Sequence, residues 1–216
     1  MPVATHDADI NSVQRRQTMI DSQLRTVGVI DTGVLAAMAV VPREDHLPAR
    51  LHGLAYADAA LEVTNGRWLL EPMVLALLLQ NARVTAADNV LIVGGAGGYS
   101  AAVLRHIGAR VTAIESDPAL LAIAGAAVIE APLAGGFPSG APYDVVLFEG
   151  AIETLPAAIA AQVAPHGRIA AVVRDGSIGR AYAGPLVAGN RIGGLPFLEV
   201  AAKPLPGFTA PKEFAF

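Results

Sequence analysis

The sequence predicts an α/β fold on a mostly parallel sheet, and three observations support this. Between residues 85 and 175, short apolar runs alternate with stretches of helical periodicity. The runs are apolar throughout, as strands covered on both faces must be, and the alternation implies right-handed crossovers between parallel neighbours. The first run opens into a glycine-rich turn leading to a helix, so a ligand mouth is expected at residues 94–99.

The N-terminal third reads as helices. Asn11 and Ser12 suit a cap, and Val13, Met19, Ile20, Leu24 and Val27 recur near helical spacing before Gly28 offers a stop. A second helix over residues 31–41 carries Val34, Leu35 and Met38, and Pro42 ends it. Residues 42–71 look irregular, with Pro48, Gly53, the pair Asn65-Gly66 and the sole tryptophan, Trp68. So long a connection in a compact domain is more often a ligand cover or a packed flap than a linker. Pro72 fits the first turn of a helix through residues 73–81.

Strands are then expected at Asn89–Val93, at residues 110–114 ending in Glu115, at 143–148 and at 168–173. Helices fall near residues 100–107, after Asp117-Pro118, and near 156–163. The C-terminal stretch is rich in Gly and Pro, with a hairpin expected over residues 191–203. The chain reads as one domain over residues 1–216. It comprises a helical extension and flap (1–71), an α/β core (72–175) and C-terminal strands and tail (176–216).

Composition narrows the function classes. With 53% hydrophobic and 16% charged residues, a chain of 216 residues can build a large core and does not suit disorder. The longest apolar run, residues 119–129, has eleven residues, well short of the roughly 20 that span a bilayer. The polar opening MPVATHDADINS lacks a basic start and an apolar segment, and there is no cysteine for a disulfide, a thiolate metal site or a cysteine nucleophile. A cytoplasmic location with no membrane partner is expected. The net charge of −4 argues against nucleic acid as the main partner. His6, His46, His52, His106 and His166 lack metal-ligand spacing and are expected on the surface or in loops, so no metal is expected.

The chemistry centres on Val90-Leu91-Ile92-Val93-Gly94-Gly95-Ala96-Gly97-Gly98-Tyr99. Glycines serve a turn that needs positive φ and close approach of a ligand to the backbone. The helix that follows offers free N–H groups to a polar ligand. Glu115 falls 21 residues after Gly94, where an acid can accept hydrogen bonds from both ribose hydroxyls. The cofactor-binding candidates are Gly94, Gly95, Ala96, Gly98, Tyr99, Glu115 and Ser116. Phased from Gly95, the loop is a dinucleotide fingerprint, Gly95-x-Gly97-x-x-Ser100, with serine where Gly or Ala is wanted. Phased from Gly94, it is the shorter Gly-x-Ala-x-Gly pattern of S-adenosylmethionine enzymes, which better suits the long helical lead-in.

Over nearly its whole length the chain resembles the protein-L-isoaspartate O-methyltransferase family. The resemblance rests on blocks in the expected order: Met19-Ile20-Asp21-Ser22-Gln23-Leu24-Arg25 with Gly28; Val41-Pro42-Arg43-Glu44; Ala55-Tyr56-Ala57-Asp58; the flap from Gly66 to Pro72; the glycine loop; Tyr143-Asp144; and Gly167-Arg168. It implies a Rossmann-like, seven-stranded methyltransferase sheet and an S-adenosylmethionine cofactor. It also implies methyl transfer to a carboxylate of isoaspartyl residues in a protein or peptide partner. Attack on a sulfonium methyl by an oxygen already ionised at neutral pH needs no strong base; proximity and a dry pocket suffice.

Departures from the family pattern fall on functional positions. The family's flap sequence Gly-Gln-Thr-Ile-Ser-Gln-Pro becomes Gly66-Arg67-Trp68-Leu69-Leu70-Glu71-Pro72, so Leu70 stands where a serine hydroxyl is expected near the acceptor. Arg67, Trp68, Leu70, Glu71 and Glu149 are the acceptor-side candidates. The family's acid in the first strand is Ile92 here, its middle loop glycine is Ala96, and its adenine-binding Asp aligns with Pro132, with Glu130 two residues away. Losing that Asp removes a buried polar contact worth roughly 1–3 kcal/mol, so the expected cofactor affinity is micromolar or weaker. Glu149, followed by Glu153, is expected to bring negative charge to the acceptor mouth. A carboxylate about 5 Å from the substrate's own would cost about 3 kcal/mol, unless Arg67 folds over it or the glutamates face solvent. This points to an acceptor drifted towards neutral or amine-bearing groups. Two other readings stay open: a non-catalytic relative that keeps the fold as a binding module, and a dinucleotide-dependent oxidoreductase using NAD.

Overall fold

The computed structural model describes residues 4–64 and 66–210, without the side chains of residues 4–10; Asn65 and the side chain of His6 therefore lie outside the described residues. Helix α1 (Ala4–Met19) runs through a π-helical turn (Ile20–Leu24) and a 3-10 turn (Arg25–Val27) to Gly28, whose φ of 89° ends it. The helix starts before the expected caps. Ser12 lies within it, donating its hydroxyl hydrogen to Glu44. Met19, Ile20 and Leu24 are buried, but Val13 and Val27 are exposed, so the apolar stripe is narrower than the spacing suggested. Helix α2 (Thr32–Val40) is capped by Asp31, whose carboxylate accepts from Val34 N, and it buries Val34, Leu35 and Met38.

Residues 42–71 are not shapeless. Two 3-10 turns (Arg43–His46 and Ala49–Leu54) lead to an antiparallel hairpin of β1 (Leu61–Thr64) and β2 (Arg67–Leu69). Helix α3 (Pro72–Ala82) follows, with Pro72 in its first turn and Val74, Leu75, Leu78 and Leu79 buried.

The α/β alternation then proceeds as expected. Strand β3 (Asn89–Val93) leads through the glycine turn to α4 (Tyr99–Ile107), then β4 (Arg110–Glu115), α5 (Pro118–Ala124) and the short β5 (Ile129–Glu130). Strands β6 (Tyr143–Ile152) and β7 (Val163–Asp175) flank a single turn of helix, α6 (Ala157–Ala160). Strand β8 (Ile178–Val187) turns back on β7 across Gly176, and β9 (Arg191–Ile192) and β10 (Leu198–Glu199) both pair with β8. The expected hairpin over residues 191–203 is therefore incorrect: its two strands pair with β8, not with each other. Gly179, Gly184 and Pro185 hid β8, because they interrupt the apolar pattern by which a strand is recognised.

The sheet order is β10-β8-β7-β6-β3-β4-β5, with β9 beside β8. Its five-strand half from β7 to β5 is parallel, and β8 and β10 are antiparallel. Successive residues of β3 and β6 face opposite cores. Val90, Ile92, Val145 and Leu147 pack in the core that also holds α2, α3 and α4, while Leu91, Val93, Val146 and Phe148 pack with Ile159, Leu205 and Phe208. Both faces being covered explains why these strands read as unbroken apolar runs. Among the described residues no helix is long and apolar enough to cross a membrane.

Candidate cofactor and acceptor site

Strand order reverses between β3 and β6, since β4 lies outward of one and β7 outward of the other. In open α/β sheets ligands bind beyond the carboxyl ends of the strands at such a point. Gly94 to Gly98 follow β3 there. Gly94 and Gly98 have φ of 79° and 88°, conformations that glycine adopts freely. Ala96, at φ 44°, takes the left-handed region despite its side chain. This costs about 1 kcal/mol or more, and its N–H is held by Glu115 at 3.1 Å.

Glu115, at the end of β4, is fully buried and saturated with donors. One carboxylate oxygen accepts from Ser116 N at 2.7 Å, Asp117 N at 3.2 Å and Arg67 Nε at 3.4 Å; the other accepts from Ala96 N and from Arg67 Nη2. Arg67 also donates to Gly94 O at 3.1 Å. Its inward direction follows from strand alternation: with Leu69 in the core, Arg67 points the same way, while Trp68 lies on the opposite face. Arg67 therefore reaches across the glycine turn rather than over an open acceptor mouth.

Two further segments close on the loop. The backbone carbonyl of His46 lies so near Gly97 that a Cβ there would meet it at 2.1 Å, and the His46 ring Nδ1 pairs with Gly97 O at 2.9 Å. A Cβ on Gly94 would meet Leu205 at 2.7 Å. Residues 94–100 are buried throughout. In this arrangement a nucleoside does not fit: the carboxylate that should take the ribose hydroxyls is filled by the chain's own guanidinium and amides, and Leu205 covers the turn.

Glu149 does not face a mouth or solvent. It lies within β6, fully buried, accepting the Ser100 hydroxyl on one oxygen, while its other oxygen has no protein partner. Burial pushes its pKa up to about 7, against the pull of Ser100, Arg43 and Arg67. Glu153 is half-buried and accepts from Ala210 N at 2.8 Å. Neither glutamate brings the negative charge to the acceptor side that the sequence suggested. Arg43 is fully buried beside Glu149, donates to Leu70 O, and stands 4.9 Å over the ring of Tyr99, which is also buried. Leu70 is thus a buried flap residue held by its carbonyl.

The remaining flap residues, half-buried Trp68 and Glu71, border a small hollow with Leu70, Gly150 and Lys203. The Lys203 ammonium lies 5.0 Å over the Trp68 ring. Burial, with Asp58 nearby, holds the Glu71 carboxyl above its usual range. Ile92 is core, Ser116 and Pro132 are exposed, and Glu130 is exposed at the end of β5. His52, His106 and His166 are exposed, as expected, while His46 is half-buried against the loop. Sequence reasoning overlooked Arg43, His46, Lys203 and Leu205. Only Arg43 carried a signal, through its place in the Val41-Pro42-Arg43-Glu44 block.

The switch-point glycine turn of a Rossmann-like sheet, with an acid ending the neighbouring strand, defines a nucleotide-binding class that includes the methyltransferases. A family model described as protein-L-isoaspartate(D-aspartate) O-methyltransferase matches residues 14–180. The protein-L-isoaspartate O-methyltransferase of Methylorubrum extorquens (strain PA1) is 37% identical over 165 residues, 72% of each chain. That of Koribacter versatilis (strain Ellin345) is 38% identical over 164 residues, 71% of this chain and 74% of its own. A solved protein-L-isoaspartate O-methyltransferase superposes with a TM-score of 0.69 at 19% identity, over 89% of this chain and 66% of that one. A Plasmodium falciparum protein described as the same enzyme, in complex with S-adenosyl-L-homocysteine, gives 0.70 at 15% identity, over 88% and 97%. The chain belongs to the protein-L-isoaspartate(D-aspartate) O-methyltransferase family, which sets aside the dinucleotide phasing of the loop.

Proposed function

We propose that the protein is an S-adenosylmethionine-dependent O-methyltransferase acting on a carboxylate of isoaspartyl residues in proteins. One observation carries this reading: the turn at residues 94–98 lies at the sheet's switch point with Glu115 beside it, in a chain matched to the family across residues 14–180. The cofactor side is assigned to Gly94, Gly95, Ala96 and Gly98 in the turn, Tyr99 opening the helix, and Glu115 with Ser116 at the ribose end. The acceptor side is assigned to the flap residues Trp68, Leu70 and Glu71, around a hollow of about 10 Å³ that must widen to admit an isoaspartyl side chain. Lys203 at its rim supplies a cation suited to a substrate carboxylate. With Glu149 fully buried against Ser100, the reason to expect an amine or neutral acceptor falls away.

The test is transfer of labelled methyl from S-adenosylmethionine to an isoaspartyl peptide, compared with the same peptide carrying ordinary aspartate. Base-labile methyl ester formed on the isoaspartyl peptide alone is the expected result. Binding of S-adenosylhomocysteine with no ester on either peptide would remove the acceptor assignment while leaving the cofactor in place.

A further inference from the structure

We infer that Arg67 is a self-ligand of the cofactor site, which the flap must withdraw before a nucleoside can reach Glu115. The inference rests on the cofactor reading above. Three contacts build it. Arg67 grips Glu115 through Nε and Nη2 and holds Gly94 O with Nη2, so one guanidinium covers both the ribose acid and the first glycine of the turn. Its side chain is 5% exposed and that of Glu115 is 0%, so the pair is sealed from water. A planar fork paired with a carboxylate is the geometry in which guanidinium binding is strongest, and two vicinal hydroxyls would compete for the same two oxygens.

The flap that carries Arg67 is small and clasped at identifiable points. Among the described residues its two strands pair only with each other. Leu61, Val63 and Leu69 seat one face of the hairpin in the core, and Arg50 donates to Val63 O at 2.7 Å. The ties on the cofactor side, besides Arg67, are Thr64, whose hydroxyl donates to Asp117 at 2.6 Å, and Trp68 against Lys203. Lys203 and Leu205 belong to one tail segment, anchored on Ala151 by paired backbone hydrogen bonds of 2.8 Å. Withdrawal of Arg67 therefore disturbs Trp68, the chain's sole tryptophan, and uncovers Gly94 if Leu205 moves with it. A ligand that must first displace an internal ion pair binds more weakly by the population of the open form.

The experiment is calorimetric titration of the unsubstituted protein and of Arg67→Gln with S-adenosylhomocysteine, with Trp68 emission followed in parallel. The expected results are at least tenfold tighter binding to Arg67→Gln and a change in Trp68 emission as the unsubstituted protein fills. Equal affinities, or saturation of the unsubstituted protein with no change in emission, would overturn the latch and leave the cofactor reading intact. If neither protein binds, both fall. Should Arg67→Gln fail to fold, the emission of the unsubstituted protein decides the matter, with Arg67→Lys, which keeps the charge but loses the fork, expected to bind more tightly than arginine.

Discussion

Ser100 donates its hydroxyl hydrogen to Glu149 inside the protein, tying the helix after the glycine turn to the neighbouring strand. Because burial raises this carboxyl from 4.5 to about 7, the folded state holds a proton that the unfolded chain has released. Between these values the native form binds more protons at this site, so the contribution of Glu149 to stability is greatest at the acid end and is lost as pH rises through about 7. The loss by pH 8 amounts to about 3 kcal/mol. Denaturant unfolding at pH 5, 6, 7 and 8 measures it, and Glu149→Gln should remove this decline. An unchanged slope in the variant would assign the dependence to another group.

Gly97 is held by proximity rather than by φ. A Cβ there would lie 2.1 Å from the backbone carbonyl of His46, which cannot swing aside as a flexible side chain would. Gly97→Ala is expected to cost about 1–3 kcal/mol, the usual range for overpacking, seen as a drop in melting temperature. Gly53, with nothing within 4 Å of its added Cβ, is the control. Gly53→Ala should stay within about 0.5 kcal/mol of the parent.

Much of this fold was legible because the strands and caps act locally. Asn89–Val93 is bounded as its apolar run dictates, and Asp117-Pro118 opens α5 as a cap and first-turn pair should. Contacts between distant residues were not legible. Nothing near Arg67 in the chain signals that it ends on Glu115, 48 residues away, and Glu149 looks exposed in sequence because a charged residue seldom lies in a buried strand. Strand β8 was missed because its packing tolerates glycines where other backbone approaches: a Cβ on Gly184 would meet Gly193 O at 2.1 Å.

Asp117 joins a legible contact to an illegible one. One carboxylate oxygen caps α5 through Ala119 N at 2.8 Å, and the other accepts the Thr64 hydroxyl at the end of β1. Asp117→Ala should cost about 1 kcal/mol as a lost cap, with the loss of Thr64 in addition. Thr64→Val removes only the second contact. In a double-mutant cycle by chemical denaturation the two changes should couple by about 0.5 kcal/mol or more; strict additivity would mean that the Thr64 bond contributes nothing.

Arg43 and Glu149 are the two ends of one buried electrostatic problem. Arg43 is fully buried, its Nε and Nη1 have no protein partner, and its charge pulls the Glu149 carboxyl down against burial. Arg43→Met removes that pull, so Glu149 should hold its proton to a pH well above 7, and the decline in stability with pH should extend upward accordingly. The substitution should therefore cost more at pH 8, where an ionised Glu149 loses one of the two buried guanidinium groups that act on it, than at pH 5, where Glu149 is already neutral. It also frees Leu70 O from its donor, a loss present at every pH and worth about 1–3 kcal/mol. Unfolding curves for Arg43→Met, Glu149→Gln and the double variant at both pH values separate these parts. The pH-dependent part should vanish in the double variant while the Leu70 part stays, and a penalty equal at pH 5 and pH 8 would show that the two side chains do not sense each other.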